Sequence, residues 1–568
     1  LASVALIVLG TPQIDPLTLF PGNVNVAYQA PVAAAGGDTP FTWVVLSGAL
    51  PPGLALNGST SSATYIEGTP TTAGTYTFTL QTTDTLSRVA SVALSMVINP
   101  QAACVLSGRY TFLFSGFRGG GAATHTGAIA ISSTGAITGE QDYKDPHRTT
   151  PAETLLSTSN CVNRETNTGV LTLNAPSGQL VYNFAATPPD AAGVIHSARL
   201  QLISSGSDSG SGQLELQDPT AITAAPPAGD FAFGLLGVNA TGVHYGTAGR
   251  FTSSTAGALS AGLVDSNAPS ALTDAPLSGT LSAPDANGRG TLTLLAGSQT
   301  STLAYYLVNA SKMFLIDVDA TTGNGTERMA GQMTAQTGDV AGGGFDASAL
   351  ATPSILSLFG ASGTVEPIAV MALGRLSNDN ATAGTVDVLL DTSDQDILSS
   401  DVVYASQSYA VETNGRGTLS LASTAGARAF SFYLDATSNG YIVEQGSAAG
   451  TGGFLEAQFQ GPYPSPPPSG IFPPTLPNGF VGGTAYPQAQ GPITLDALCS
   501  LNYDALSSNF LNGSFAIDPT TGRGLGTVTE SGVGTDSASL YIVSPTKFDL
   551  LRYGTRAIDG MIEYMIQD

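Results

Sequence analysis

The segment Asn287-Gly288-Arg289-Gly290-Thr291-Leu292-Thr293-Leu294 decides how most of this chain folds. It returns as Asn414-Gly415-Arg416-Gly417-Thr418-Leu419-Ser420-Leu421, and again as Thr521-Gly522-Arg523-Gly524-Leu525-Gly526-Thr527-Val528. A worn copy, Asn167-Thr168-Gly169-Val170-Leu171-Thr172-Leu173, has no arginine. Each copy is a turn followed by alternating apolar residues, the period of a strand with one buried face. An aromatic strand pair follows each clear copy: Tyr305-Tyr306-Leu307 with Met313-Phe314-Leu315-Ile316, Phe432-Tyr433-Leu434 with Tyr441-Ile442-Val443, and Tyr541-Ile542-Val543 with Phe548-Asp549-Leu550-Leu551. Each unit then closes on a short strand after a glycine, at Gly331, Gly453 and Gly560. A period of about 105–130 residues marks tandem copies of one supersecondary unit.

Working outward, Gly108-Arg109-Tyr110-Thr111-Phe112 and Gly229-Asp230-Phe231-Ala232-Phe233 are matching unit openings. The third and fourth units open differently, and Gly479-Phe480-Val481 marks the fourth. Strand pairs joined by Asn-Gly-type turns imply one antiparallel sandwich or barrel per unit. No 3.6-residue period runs far enough to give a helix. The recurring Gly-Arg-Gly has two readings. It is either a hairpin turn, with glycine at positive φ and the arginine stem packed over the sheet, or an exposed arginine offered to an anionic glycan or a partner carboxylate.

Residues 12–99 read differently. Pro40-Phe41-Thr42-Trp43-Val44-Val45 leads to Leu50-Pro51-Pro52-Gly53-Leu54, then to Gly68-Thr69-Pro70 and Ala73-Gly74-Thr75-Tyr76-Thr77-Phe78-Thr79-Leu80, ending at Asp84. Tyr76, Phe78 and Leu80 alternate as one buried face. These motifs resemble the bacterial Putative Ig domain of cell-surface proteins. The resemblance implies a seven-stranded immunoglobulin-like sandwich with Trp43 in its core, no antibody-type disulfide, and a role in spacing or presenting other domains. Asp84 reads as a turn former rather than a calcium ligand. The later units resemble tandem β-repeats that accompany such domains in large exported bacterial proteins.

The pentapeptide Ala-Ser-Val-Ala-Leu occurs at 90–94 and again at 2–6, one Ig length apart. In the second copy Val92, Leu94, Met96 and Ile98 share one face opposite Ser91, Ala93 and Ser95, a half-buried strand. The first copy, Val4-Ala5-Leu6-Ile7-Val8-Leu9, is apolar on both faces, the pattern of a strand covered on both sides. Burying Val4, Leu6, Ile7, Val8 and Leu9 is worth about 7–15 kcal/mol before entropy costs. Three readings follow: a strand donated into a neighbouring subunit, a fragment of a longer multi-Ig protein, or the end of a signal-peptide h-region. Strand donation is favoured. It makes a head-to-tail contact that does not close, hence a filament. Repeats 3 and 4, whose openings are degenerate, are the expected acceptors.

Composition narrows the function classes. The chain has 42 acidic and 18 basic residues, 11% charged overall, with net charge −24 and pI near 4.2. Nucleic-acid binding needs clustered Lys and Arg to displace counterions, so it is excluded. The apolar share of 42% is enough for a core and argues against disorder. No run approaches the twenty or so apolar residues of a membrane span. Cys104 and Cys161 are expected to form a disulfide, with Cys499 unpaired or intermolecular; three buried reduced thiols are the other reading. The Pro-rich stretch around Pro466, Pro467 and Pro468 is a polyproline spacer or lies along a neighbouring subunit.

Catalytic patterns are wanting. His125, His147, His196 and His244 show no paired spacing, and no cysteine–histidine spacing suggests zinc. Gly206-Ser207-Asp208-Ser209-Gly210-Ser211-Gly212 reads as a flexible polar loop, and Asp317-Val318-Asp319 as a hairpin turn that fails the EF-hand pattern.

The expected protein is therefore all-β, secreted and non-enzymatic, without cofactor or metal. A donor strand at 1–11 precedes an Ig-like sandwich at 12–100 and β-units at 101–222, 223–338, 339–460 and 479–568, with a Pro-rich linker at 461–478. It is expected to be a structural subunit of an extracellular filament, its partners identical subunits. The alternative is a monomeric adhesin that binds surface glycans.

Overall fold

The computed structural model describes residues 11–566 apart from short segments, the longest being 203–208, 320–327, 460–480, 487–493, 501–510 and 554–560. In the last repeat, side chains are described only between 518 and 551. The donor segment and the Pro466–Pro468 stretch lie outside the described residues. Among the described residues there is no α-helix, only two 3₁₀ turns at Pro219–Ala221 and Ala347–Leu350. The chain divides into two compact units. The first is residues 1–104 with 162–164, and the second is 105–161 with 165–568.

The first unit holds an Ig-like sandwich. One sheet orders the strands Gln13–Ile14, Tyr28–Ala35, Ala63–Gly68 and Leu54–Asn57; the other orders Gly22–Asn23, Val89–Asn99, Gly74–Thr83 and Thr42–Gly48. Eight pieces replace the expected seven, because the opening of the domain pairs briefly with each sheet in turn. Trp43, Ile66, Phe78, Leu80, Met96 and Ile98 fill the space between the sheets. The Pro-Pro-Gly corner requires its glycine. Gly53 has φ +92°, and a Cβ there would lie 2.0 Å from the Thr69 carbonyl oxygen. Asp84 is buried and accepts hydrogen bonds from the backbone N–H groups of Asp38, Leu86 and Arg88, a turn former as expected.

The second unit contains four β-repeats. Repeats 2 and 3 are closed barrels of eight antiparallel strands, running from Gly229–Val238 to Arg328–Ala335 and from Ser354–Ser362 to Gly452–Ala457. Closure pairs the last strand with the first in each. Every strand of repeat 3 is paired on both sides, so it has no edge for an incoming strand. That removes it as a donor-strand acceptor. Repeat 1 is a nine-stranded sheet with an extra strand, Asn160–Glu165, after its fourth. Its polar stretch is not wholly a loop: Ser209–Gly212 belongs to the strand Ser209–Leu216, paired with the repeat's first strand. Repeat 4 opens with the strand Val481–Tyr486. It forms a seven-stranded sheet whose order begins with Thr494–Ser500 and ends with Leu511–Ile517.

The repeats pack by one rule. The first two strands of one repeat lie against the sixth to eighth strands of the next, and Val481–Tyr486 and Thr494–Ser500 of repeat 4 lie in the same way against repeat 1. The four repeats therefore close on themselves. This explains the aromatic strand pairs: Tyr305 and Leu307 point into their own barrel, while Tyr306 packs with Ile316 against Ala128 of repeat 1. Tyr433 and Tyr441 pack against Ala232 and Ala248, and Tyr541 and Leu551 against Ile355 and Leu373, in the same manner.

Candidate functional site

The chemistry of the repeat lies at its junctions. Arg289, first residue of a fifth strand, reaches back to Asp142 on the third strand of repeat 1, with Nε 2.7 Å and Nη2 2.8 Å from its two carboxylate oxygens. Tyr306 donates its hydroxyl to the same carboxylate at 2.6 Å. Arg416, Asp265 and Tyr433 repeat the set between repeats 2 and 3, and Arg523, Asp391 and Tyr541 between repeats 3 and 4. The side chains of all three aspartates are fully buried, so each carboxylate depends on its arginine and tyrosine for solvation. Burial alone would raise the Asp265 carboxyl, but Arg416 and Tyr433 hold it below the usual carboxylate range. The Gly-Arg-Gly arginine is thus neither exposed nor merely packed over its own sheet. Its carboxylate partner belongs to the neighbouring repeat of the same chain.

A second clasp recurs beside the first. Gln217, Gln336 and Gln458 each follow the last strand of a repeat. Each donates its amide to two carbonyls of the next repeat: Asn287 and Leu307, Asn414 and Leu434, Thr521 and Ile542. Arg109, Arg250 and Arg375 donate Nε to the oxygen of the same glutamines. Gly288 and Gly415 sit at φ +87° and +86°, and a Cβ on either would stand 2.8 or 2.7 Å from the glutamine nitrogen, so the receiving turn favours glycine. Sequence reading missed these glutamines, although their position after each closing strand is a recurring signal.

All three lysines bridge repeats as well: Lys144 to Asp317, Lys312 to Glu215 and Lys547 to Glu456. At the remaining described junction the positions of Glu215 and Lys312 are held by Thr334 and Asn439, so both charges disappear together and neither is stranded. Asp317 is accordingly not a turn residue. It ends the strand Lys312–Asp317 and is buried against Lys144.

Where the four repeats meet there is a cavity of about 600 Å³, with Leu236, Tyr245, Phe359, Tyr441 and Phe454 among its lining residues. Its wall carries four of the chain's 18 cations, Arg199, Lys312, Arg328 and Lys547, against three of its 42 acids, Glu215, Asp435 and Glu456. Lys312 and Lys547 are already paired with Glu215 and Glu456, so the wall is nearly charge-balanced in a strongly acidic chain.

The histidines do not converge. His125 is buried between Tyr182 and Gln141, His196 is exposed beside Asp190, and His244 lies at the cavity. Among the described residues no group of three or more His, Cys, Asp or Glu could hold a metal. Cys104 and Cys161 are buried and disulfide-bonded. Cys499 falls in the strand Thr494–Ser500.

Comparison with known proteins gives one family match: residues 11–99 fit the Putative Ig domain. Among solved structures, the chain is similar to the sialic acid binding region of the Streptococcus sanguinis SK1 adhesin bound to 3'sLn. Identity is 11% over 56% of this chain and 96% of that one, with a TM-score of 0.15. At that score the likeness bears on neither fold nor function. No curated protein matches the chain.

Proposed function

We propose that this protein, whose residues 11–99 belong to the Putative Ig domain family, is a non-enzymatic structural protein of the bacterial cell surface that assembles head-to-tail by strand donation from residues 2–9. The observation that carries this reading is the recurrence of Ala-Ser-Val-Ala-Leu. Its second copy lies in the strand Val89–Asn99, flanked on both sides, with Leu94, Met96 and Ile98 buried and Ser91, Ala93 and Ser95 exposed. A first copy that is apolar on both faces requires cover on both faces. The junction clasps support a structural role, since a subunit under load needs repeats that do not slide.

Deleting residues 1–10 is expected to abolish elongation of the purified protein, seen by electron microscopy and light scattering, while leaving its circular dichroism unchanged. Normal polymerisation of the truncated chain would sink strand donation.

The central cavity favours a second reading, an adhesin that takes a small acidic sugar beside Arg199 and Arg328, the two cations of its wall that no glutamate of the wall pairs with. Glucuronate should then bind in calorimetry where glucose does not. Gln332→Glu, which adds a negative charge to the wall, should weaken that binding by about ten-fold. Equal affinity for both sugars would dismiss it.

A further inference from the structure

We propose that Lys144 and Asp317 condense into an amide, a side-chain cross-link that joins repeat 1 to repeat 2 covalently. The cross-link stands independently of strand donation.

The two residues meet across the first junction. Lys144 ends the strand Ile137–Lys144 and Asp317 ends the strand Lys312–Asp317, 173 positions apart. Lys144 Nζ lies 2.6 Å from Asp317 Oδ2, and the two side chains are 0% and 5% exposed. Both are fixed from behind. Lys144 pairs with Thr124 and Thr149 on the strands either side of its own, and Asp317 with Leu303. Ile316, next to Asp317, packs with Ala304 and Tyr306 against Ala128 of repeat 1.

As an ion pair this contact is poorly made. An ammonium has three N–H donors. Among the described residues Lys144 Nζ has one hydrogen-bond partner, Asp317 Oδ2. Two donors of a buried cation are left over, and a buried ion pair is stable only when its remaining donors are satisfied. An amide nitrogen keeps one N–H and no charge, so much less is left unsolvated. Burial also favours the neutral carboxyl, raising Asp317 to about 6 against the pull of Lys144 and of the Asp319 N–H.

The atoms balance without a co-reactant. One proton moves from Nζ to Oδ2 along the existing hydrogen bond, leaving a neutral amine beside a neutral carboxylic acid. The Nζ lone pair then attacks Cγ. Negative charge develops on Oδ1, which already accepts the backbone N–H of Asp319 at 2.8 Å. A second proton passes from Nζ to the Oδ2 hydroxyl, the Cγ–Oδ2 bond breaks, and water leaves. One C–N bond replaces one C–O bond, and the two opposite charges vanish together. Holding the amine against the carboxyl supplies the entropy that a condensation in solution lacks.

The other lysines and the next junction lack this arrangement. Lys312–Glu215 and Lys547–Glu456 have side chains 20–28% exposed, so water solvates those ions. Measured from the Arg416, Asp265 and Tyr433 set, Asn267 takes the place of Lys144 and Glu444 that of Asp317. Glu444 is held by Arg428 of its own barrel at 2.7 and 2.9 Å, while Asn267 donates to the Thr451 carbonyl. Ser301 stands where Arg428 would be in repeat 2. At the first junction the buried acid therefore faces a primary amine, and it does so across the boundary.

Intact mass spectrometry of the full chain, denatured and reduced, tests the bond. The chain should be lighter than its sequence by one water. A tryptic digest should hold residues 119–148 joined to 313–328, because an acylated Lys144 is not cleaved. Lys144→Arg keeps the charge but has no primary amine, so it should show its full sequence mass and release 313–328 as a free peptide. In the linked chain Asp317 no longer titrates, and any gain in stability on acidification falls to Glu140 and Asp549. A wild-type chain still at full mass once its mass has stopped changing overturns the cross-link. So does a loss of water without the joined peptide, or a loss that Lys144→Arg retains.

Discussion

Replacing Arg416 with Met is expected to destabilise the four-repeat body by about 3–5 kcal/mol in chemical denaturation. The cost comes from what the substitution leaves behind. Asp265 has no solvent exposure and receives both its strong hydrogen bonds from Arg416, through Nε at 2.9 Å and Nη2 at 3.0 Å. Ser431, Tyr433 and the backbone N–H of Asp274 remain, but three neutral donors do not solvate a buried carboxylate as a guanidinium does. Asp265→Leu alone should cost less, because Arg416, though buried, keeps Glu412 and Asp274 as ion-pair partners when it loses its bidentate one. Combining the two should recover most of the loss, since an apolar pair of similar volume leaves no charge uncompensated. A cost below about 1 kcal/mol for Arg416→Met would mean that the junction is held by apolar packing and that the clasp only sets register.

Stability should rise as the medium is acidified from pH 8 to pH 5, by on the order of 5 °C in melting temperature. Three carboxyls are pushed up. Burial raises Asp317 to about 6 although Lys144 is 2.6 Å away. Burial raises Asp549 to about 7, with Lys547 opposing, Glu456 adding to the rise, and Ser357 and Arg199 lowering it. Burial and a hydrogen bond with Asp285 raise Glu140 to about 7, while Asn287 and Arg289 lower it. A carboxyl whose folded value exceeds its unfolded one stabilises the fold fully below the unfolded value, and that contribution is lost as pH climbs through 6 to 7. Asp265 acts in the opposite sense. Its folded value is depressed, so its contribution is present above the unfolded value and is lost as acid titrates it. The two trends place the optimum at roughly pH 4–5. Calorimetric scans from pH 4 to 8 test this, with Asp549→Asn expected to flatten the slope; a melting temperature that climbs steadily toward pH 8 would refute it.

Much of the fold is legible in the sequence because strand periodicity and turn chemistry are local. Leu292 and Leu294 alternate with Thr291 and Thr293 whatever lies beside them, and the Pro-Pro-Gly corner constrains its own backbone at Gly53. The arginine partners were not legible. Asp142, Asp265 and Asp391 lie 147, 151 and 132 residues before their arginines and share no flanking motif. The worn copy at 167–173 held a clue. It keeps the turn and strand but has no arginine, as expected if that arginine serves a junction rather than its own turn.

The cation count also takes on a different meaning. Eighteen basic residues stand against 42 acids. The structure places all three lysines and six of the arginines within the contacts between repeats, where each pairs with a carboxylate or a glutamine. The exterior is left more acidic than the composition implies.

The sequence by itself determined that this protein is all-β, that it opens with an Ig-like domain, and that a turn-and-strand unit recurs after it, because each follows from spacing within a few residues. Only the tertiary structure decided that the repeats close on themselves, that the recurring arginines face inward to a neighbour's aspartate, and that the third repeat is sealed. Those are facts of pairing between distant segments, and hydrogen-bond edges and ion pairs carry no signature in the residues that form them until the chain has brought them together.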